Sequence, residues 1–366
     1  MNSTQTNLRK VFLFSLFLFC SFTFVQAEEP GIYRDLTKAL KNPLDVRVLD
    51  LSEQKLKTLP KEIGQLQNLQ ELHLSGNQLT TFPKEIGQLK NLQTLDLSDN
   101  QFKTFTKQIG RLQNLYNLDL NNNQFTTVPI EIGQLKNLLT LSLHYNRIAT
   151  IPIEIGQLEN LQIMSLSNNR LTTLPKEIGQ LQNLQELHLS GNQLTTFPKE
   201  IGQLKNLQTL NLSDNQFKTF PKEIEQLENL QIMSLSNNRL TTLPKQIGRL
   251  QNLYNLELND NQFKTFPIEI GQLQNLRTLR LRNNQLTVLP KEIGRLQNLY
   301  NLDLNDNQLV TLPKEIGQLQ NLQLLYLNNN QLSSEEKERI RKLLPKCQIY
   351  FEQDFFFQEI ERSDLN

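Results

Sequence analysis

The side chains that most often carry out acid–base, nucleophilic or metal chemistry are scarce in this sequence. Its 366 residues include three histidines and two cysteines. No serine lies in a nucleophile-elbow motif and there is no glycine-rich phosphate loop. The histidines, His73, His144 and His188, lie in separate segments, whereas zinc requires three or four ligands at one place. We therefore expect neither an enzyme, nor a metal site, nor a bound cofactor.

Charged and aromatic residues offer a different chemistry, the recognition of another molecule. Arg280 and Arg282 are flanked in sequence by Glu257 and Asp303. These four form either an intramolecular charge ladder or a contact for a charged patch on a partner. Tyrosine and arginine are also frequent at the energetic centres of protein interfaces. The full set of predicted partner-contact residues is His73, Asp96, Asp119, His144, Tyr145, His188, Glu257, Arg280, Arg282, Asp303 and Tyr326.

The overall charge limits the kind of partner. Lys and Arg number 38 and Asp and Glu number 37, a formal net charge of +1. That balance lacks the basic excess of a nucleic-acid-binding protein or of a polybasic membrane-surface protein. We therefore expect no nucleic acid, and we expect a protein ligand or a glycan. Neighbouring acids such as Asp96 and Asp119 could also attract calcium, although most such rows are simply solvated.

These residues are positioned by an internal repeat. Asparagines fall 23 residues apart from Asn77 to Asn330, and Gln54 occupies the same phase one period earlier, so there are about thirteen units. Within a unit, Leu72 and Leu74 point to one face of a strand, and Glu71, His73 and Ser75 point to the other. Strands in successive units must pair with each other, which predicts thirteen parallel strands in one sheet. The asparagine at each turn is expected to satisfy backbone groups of its own and the adjacent unit.

The second half of each unit forms an outer wall. Pro83 starts one short helical turn, Ile86 and Leu89 face inward, and Gly87 suits a turn or close backbone packing. A helical turn is wider than a strand, so the strands lie on the concave side. Nine of the 19 phenylalanines fall at the two core positions after the asparagine. Three units depart from the pattern, with Thr106 for the proline, Glu225 for the glycine and Gln54 for the asparagine.

The pattern LxxLxLxxNxLxxLPxEIGxLxN resembles the 23-residue type of the leucine-rich repeat family, over residues 46 to 332. The resemblance implies an α/β solenoid, a right-handed horseshoe with a parallel concave sheet and short helical turns on the convex side. It also implies a non-enzymatic module that recognises proteins through its concave face. The same pattern is similar to Ras-binding and Ras-suppressor scaffolds, so an intracellular scaffold is the alternative. Enzymatic members carry a separate catalytic domain, and the 34 residues after 332 are far fewer than the ~100 of a typical domain.

Residues 1–27 are predicted to be an export signal. Arg9 and Lys10 precede a fifteen-residue apolar stretch, and Val25-Gln26-Ala27 offers a cleavage site. The apolar stretch is short for a membrane anchor, and Phe19 before Cys20 disfavours a lipoprotein. We therefore expect a secreted or exported, bacterial protein with no stable membrane span after cleavage.

Caps are expected at both ends of the array, because terminal units would otherwise expose their leucines. Residues 28–45 are predicted to form a helical cap, with Tyr33, Leu36 and Leu40 at helical spacing. Residues 333–366 are predicted to form the other cap. There Ser333-Ser334-Glu335-Glu336 fits a capping box and a helix runs to Pro345. Cys347, Ile349 and Phe351 then alternate as in an edge strand, with Cys347 as a buried thiol. The three phenylalanines at 355–357 either cover the last repeat or form an exposed contact.

Overall fold

Each repeat contributes one three-residue strand in which a buried leucine or methionine lies between two outward residues, because side chains alternate between the two faces of a strand. The computed structural model describes residues 30–352. Fifteen parallel strands lie in chain order in one sheet. Thirteen of them belong to the repeats, as predicted, and the caps add one at each end. They are β1 Ile32–Tyr33, β2 Val48–Asp50, β3 Glu71–His73, β4 Thr94–Asp96, β5 Asn117–Asp119, β6 Thr140–Ser142, β7 Ile163–Ser165, β8 Glu186–His188, β9 Thr209–Asn211, β10 Ile232–Ser234, β11 Asn255–Glu257, β12 Thr278–Arg280, β13 Asn301–Asp303, β14 Leu324–Tyr326 and β15 Gln348–Tyr350.

The register of the sheet follows the repeat. Each residue of a repeat strand pairs with its equivalent in the next unit, as Leu72 does with Leu95. Equivalent side chains therefore form straight rows across the sheet. The leucine rows face inward and are fully buried, and the alternate rows are left on the concave surface.

Short 3₁₀ helices form the convex wall, one for each of twelve units. Eleven follow a proline, and the twelfth follows Thr106, whose hydroxyl accepts a hydrogen bond from the Gln108 amide at 3.2 Å. They span Lys61–Gln65, Lys84–Gln88, Lys107–Arg111, Ile130–Gln134, Ile153–Gln157, Lys176–Gln180, Lys199–Gln203, Lys222–Gln226, Lys245–Arg249, Ile268–Gln272, Lys291–Arg295 and Lys314–Gln318.

Close packing between these 3₁₀ helices explains the repeated glycine. A Cβ added at Gly179 would lie 2.5 Å from the carbonyl oxygen of Glu200 in the next unit. Glycine is therefore needed for the approach of two backbones, not for a turn. Glu225 replaces it once, and the helix Lys222–Gln226 keeps the same length as its neighbours.

The asparagine ladder, the row formed by the asparagine of each repeat, satisfies backbone groups as predicted. Asn123 Oδ1 accepts from the Phe102 amide at 3.0 Å, and its Nδ2 donates to Leu97 O, Leu120 O and Asn121 O at 2.9, 3.2 and 3.0 Å. One amide thus joins two units and closes its own turn. Gln54, at the start of the array, instead donates to Arg34 O in the cap at 2.9 Å.

A second ladder was not predicted, although its asparagines recur with the same period. Asn91 Nδ2 donates to Gln67 O at 2.9 Å, and Asn114 donates to Lys90 O at the same distance. This outer row fastens the loop before each strand to the preceding unit. Of the nine phenylalanines predicted as core, seven are buried, and Phe82 and Phe105 are partly buried against the core. Rings of adjacent units stack, as in Phe82–Phe102 and Phe105–Phe125, each with centroids 4.2 Å apart.

The N-terminal cap differs in part from the prediction. Helix α1 is Leu36–Lys41, capped by Asp35. Tyr33 was wrongly placed on this helix; it belongs to β1, where it pairs with Leu49 of β2. Residues 1–29 lie outside the described residues, and so does the predicted signal.

The C-terminal cap contains the predicted helix and edge strand. Helix α2 is Ser334–Leu343, and Ser333 Oγ accepts from the Glu336 amide at 3.2 Å. Only this half of the capping box forms, because the Glu336 carboxylate bonds Arg339 and the Leu312 amide instead. The last strand, β15, follows, with Cys347 half-buried just before it. The phenylalanines at 355–357 lie outside the described residues. Within residues 30–352, no helix has the length and apolar character that crossing a bilayer requires.

Candidate functional site

The concave surface is made from four positions in each unit, counted back from the ladder asparagine: −6, −4, −2 and −1. We call these the inner-face positions. Positions −6 and −4 are the outward residues of each strand, and −2 and −1 form the turn that follows it. Because the sheet is in register, each position forms a row whose members lie one strand spacing, about 4.8 Å, apart. All eleven predicted contact residues occupy these rows.

The row at position −1 is held in the left-handed backbone region. Across the repeats its φ values lie between 51° and 66°. Glycine, asparagine and aspartate tolerate this conformation best, and those types occupy the row from Gly76 to Asn329 except at Tyr145. Tyr145 has φ 53°, and 57% of its surface is exposed.

Aspartates at position −4 have a structural task. One carboxylate oxygen of Asp96, Asp119 and Asp303 accepts from the backbone amide two residues later, in each case at 3.0 Å. Burial raises the pKa of Asp119, with the charges of Asp96 and Asp99 acting in the same direction. Burial also raises the pKa of Asp303. These carboxylates are partly withdrawn from solvent and keep one oxygen for other contacts.

The three histidines remain apart, as expected. His73 and His188 each lie beside a glutamate on their own strand, with Nε2 3.2 Å from Glu71 Oε2 and 3.1 Å from Glu186 Oε2. His144 packs edge-on against Tyr145, with ring centroids 5.4 Å apart, and burial lowers its pKa. Within residues 30–352, no three His, Cys, Asp or Glu side chains are grouped so that they could hold a metal ion.

Both arginines of the predicted charged patch form ion pairs within the face. Arg280 Nη1 lies 3.1 Å from Glu257 Oε1, and Arg282 Nε lies 3.0 Å from Asp306 Oδ2. The intramolecular charge ladder therefore exists, but Arg282 pairs with the acid at position −1 and not with Asp303. Around Arg282 lies an open depression of about 420 Å³, lined also by Asn259, Asp260, Asn283 and Asp306.

An aromatic pair closes the face at its C-terminal end. Tyr326 stacks on Tyr350 of β15, with centroids 4.8 Å apart and ring planes within 6°. Burial raises the pKa of Tyr326, and Tyr350 and Asp303 add to the rise. Tyr350 was not predicted as part of this face, because its spacing from Tyr326 is longer than the repeat period and it does not occupy an inner-face position of a repeat. Asp306 was missed as the partner of Arg282.

The eleven predicted residues thus share one face without forming one cluster. Five of them lie on the adjacent strands β11 to β14 or in the turn after β12, namely Glu257, Arg280, Arg282, Asp303 and Tyr326. His144 lies beside Tyr145. His73, Asp96 and Asp119 are cross-strand neighbours on β3 to β5, and His188 lies apart on β8. This arrangement can offer charges, hydrogen-bonding groups and aromatic surface to a large partner, which is the chemistry of recognition.

Comparison with known proteins agrees with this architecture. A family model described as a leucine-rich repeat region matches residues 33–119, 105–211, 187–282 and 268–344. A search of curated protein sequences found no match. Among solved structures, a leucine-rich repeat protein of Leptospira interrogans is 46% identical, with 87% of this chain and 99% of that chain covered and a TM-score of 0.52.

Two further structures show the range of the fold. An internalin of Listeria monocytogenes is 22% identical, with 86% and 89% of the two chains covered and a TM-score of 0.74. A plant peptide hormone receptor, in complex with RGF2, is 28% identical with a TM-score of 0.61, and the match covers 82% of this chain and 58% of the receptor.

Proposed function

Because this chain belongs to the leucine-rich repeat family, we propose that it is an exported recognition protein that binds a protein partner through its inner face. One observation carries the proposal: an in-register sheet presents rows of half-exposed polar, charged and aromatic side chains on one concave face. The similar plant receptor is solved in complex with a peptide ligand. Members of the family are typically protein-binding and not catalytic, in keeping with the scattered histidines.

The C-terminal strands β11 to β14 are proposed as one part of the contact. They bring two arginines, several acids and Tyr326 together, and tyrosine and arginine are the residue types most enriched at energetic hot spots. The ion pairs to Glu257 and Asp306 hold both guanidinium groups in place before binding, which lowers the entropy lost on association.

Partner capture tests the binding role. The protein would be immobilised and its bound proteins cross-linked and identified, in parallel with a variant carrying Arg280→Glu, Arg282→Glu and Tyr326→Ala. A control with Lys84→Glu, Lys107→Glu and Ile130→Ala makes the same kinds of change on the convex wall, where all three side chains are exposed. We expect a partner retained by the wild type and by the control to be lost by the inner-face variant. Equal retention by all three would refute the C-terminal contact.

Export rests on residues 1–27 and is tested separately. We expect the native N-terminus to begin near residue 28, and the protein to lie in the periplasm, at the cell surface or outside the cell. Mass spectrometry of the native N-terminus with cell fractionation measures both. An uncleaved N-terminus on a protein found inside the cell would favour the intracellular scaffold, whose pattern is similar to the Ras-binding repeats.

A further inference from the structure

Charge is segregated between the two faces of the solenoid. The chain has 38 lysines and arginines, yet the inner-face positions of the thirteen units hold only Arg280 and Arg282 and no lysine. The same positions hold twelve acids: Asp50, Glu53, Glu71, Asp96, Asp99, Asp119, Glu186, Asp214, Glu257, Asp260, Asp303 and Asp306. The near-neutral chain therefore presents a strongly acidic concave surface and a basic remainder.

The few cations on the face are already engaged. Arg280 and Arg282 are paired with Glu257 and Asp306. The acids from Asp50 to Asp119 have no arginine or lysine at any inner-face position of their units. Asp50 has Arg34 of the N-terminal cap nearby, but the inner-face positions of these units supply no Lys or Arg, so this surface attracts cations from solution.

The fold does not require these acids to be charged. At position −4, Asn211 Oδ1 accepts a hydrogen bond from the backbone amide two residues later at 3.1 Å, as Asp96 Oδ1 does in its own unit. At position −1, Asn122 and Asn168 adopt the same left-handed conformation as Asp99. An asparagine would satisfy the backbone at each of these aspartates, so the backbone hydrogen bonds and the turn do not require the negative charge.

The face also carries polar oxygens without a partner, three of them amide acceptors and one a serine hydroxyl. Among the described residues, the buried side-chain polar atoms without a partner are Ser236 Oγ, Asn255 Oδ1, Asn301 Oδ1 and Asn328 Oδ1, and all four occupy inner-face positions. Asn305 Oδ1 accepts from the Asn328 amide at 2.8 Å, whereas Asn328, which is 8% exposed, has no such donor for its own Oδ1. Buried acceptors without donors are uncommon in folded proteins, and they fit a ligand rich in N–H groups.

From these observations we propose, resting on the proposed function, that the partner is a basic polypeptide whose lysine and arginine side chains dock along the acidic inner face. Ammonium and guanidinium groups are donors without acceptors, and so complement a surface of carboxylates and unpaired amide oxygens. Tyr145, exposed in the turn after β6 and one strand from Asp119 of β5, adds an aromatic ring that a cation can stack upon. Opposite charge also accelerates encounter, an effect that weakens as salt rises.

Peptide binding by the full-length protein tests the proposal. The probes are fluorescein-labelled nona-arginine and nona-glutamate, followed by fluorescence anisotropy at low and physiological ionic strength. The inner-face variant removes five charges without changing side-chain shape: Asp96→Asn, Asp99→Asn, Asp119→Asn, Asp214→Asn and Asp260→Asn. The control removes five charges from the convex wall: Glu85→Gln, Glu131→Gln, Glu154→Gln, Glu177→Gln and Glu200→Gln.

Both variants are expected to fold, because the chain uses the same replacements itself. Asn211 and Asn122 stand at the aspartate positions, and Gln108 and Gln246 stand at the position of the convex glutamates. Thermal unfolding followed by circular dichroism checks this before binding is compared.

We expect nona-arginine to bind the wild type and the convex control equally, and to bind the inner-face variant at least about tenfold more weakly. Nona-glutamate, which only the basic remainder attracts, should not lose affinity in the inner-face variant. Equal weakening in the two variants would mean that only total charge matters and would overturn the proposal, as would unchanged binding by the inner-face variant. If partner capture still depends on Arg280, Arg282 and Tyr326 in that case, the recognition role stands and only the basic character of the partner is refuted.

Discussion

Replacing Tyr145 with asparagine should stabilise the protein, the opposite of the usual effect of removing an aromatic residue. Tyr145 has φ 53° at a position where neighbouring units have Asn122 at 52° and Asn168 at 55°. A left-handed backbone costs an ordinary L-residue about 1–2 kcal/mol, and asparagine less. The tyrosine therefore carries strain that its equivalents largely avoid.

The contact that the substitution removes is small. Tyr145 is 57% exposed, and its ring meets His144 edge-on at 5.4 Å. Such an aromatic pair contributes about 0.5 kcal/mol beyond the area that it buries. Relief of about 1–2 kcal/mol of strain, less this contribution and the partial burial of the ring, leaves a net gain of at most about 1 kcal/mol for Tyr145→Asn.

Urea unfolding measures this change, with the mirror substitution Asn168→Tyr as the control. That variant places a tyrosine on the same backbone one unit later and should lose about 1 kcal/mol. A rise in the urea midpoint for Tyr145→Asn and a fall for Asn168→Tyr are the expected pair. Destabilisation of about 1 kcal/mol or more by Tyr145→Asn would show that the ring is held by contacts, and the strain argument would be wrong.

Backbone strain that the rest of the fold does not compensate is typical of functional sites. The same variant therefore has a second expected effect. Tyr145→Asn should weaken binding of nona-arginine while it raises stability. Unchanged binding would remove Tyr145 from the recognition surface without affecting the stability argument.

Three further measurements test other parts of the structure. Asn192→Ala removes a buried amide that makes four hydrogen bonds, and it should lower the free energy of unfolding in urea by about 3 kcal/mol. The control Asn183→Ala removes one exposed hydrogen bond and should lower it by about 1 kcal/mol. Equal losses would contradict the assigned roles of the two ladders. The hydrogen bond from Arg339 holds the pKa of Glu336 at about 2, below its unfolded value. The ion pair therefore stabilises the C-terminal cap above about pH 4.5, and this stabilisation is lost as pH falls towards 2. Glu336→Gln should make the free energy of unfolding less dependent on pH in that window, and an unchanged pH dependence would rule out the pair as its source. Burial raises the pKa of Cys347 to about 11. In a chain lacking residues 1–27, its thiol should therefore react with iodoacetamide at pH 7 far more slowly in the folded protein than in the protein unfolded by urea. Equal rates would show an accessible thiolate.

Periodicity made most of the fold predictable. A leucine, proline or asparagine that recurs once in every repeat has the same neighbours in every unit, so one unit determined the strand, the convex helix and the ladder for all of them. Prediction failed where the period ends. Tyr33 belongs to β1 because it pairs with Leu49 of the first repeat, and Tyr350 stacks on Tyr326 at a spacing that does not match the period.

The candidate site was predictable in place but not in its contacts. Strand alternation put the eleven predicted residues on one face, but side-chain geometry chose their partners. Arg282 pairs with Asp306 in the turn and not with Asp303 in the strand, and Asp96 turns one oxygen towards its own backbone. The left-handed turn at position −1, by contrast, has a signal in the sequence, a row of Gly, Asn and Asp.

Positions of the repeat therefore differ in what they can reveal about function. Leucine, proline, glycine and ladder asparagine are fixed by packing and backbone needs, so they carry no information about a partner. Position −6 accepts almost any side chain, as Glu71, Ile163 and Leu324 show, and any single residue there is weak evidence about a partner.

The strongest evidence about a partner comes from positions where the fold restricts the residue type and the sequence still departs from the residue that the backbone favours. Tyr145 departs in its backbone conformation. The aspartates at positions −4 and −1 add a negative charge that the backbone does not need, because asparagine would accept the same hydrogen bonds and adopt the same turn. Both departures lie on the same concave surface, which is the physical reason for placing the binding site there.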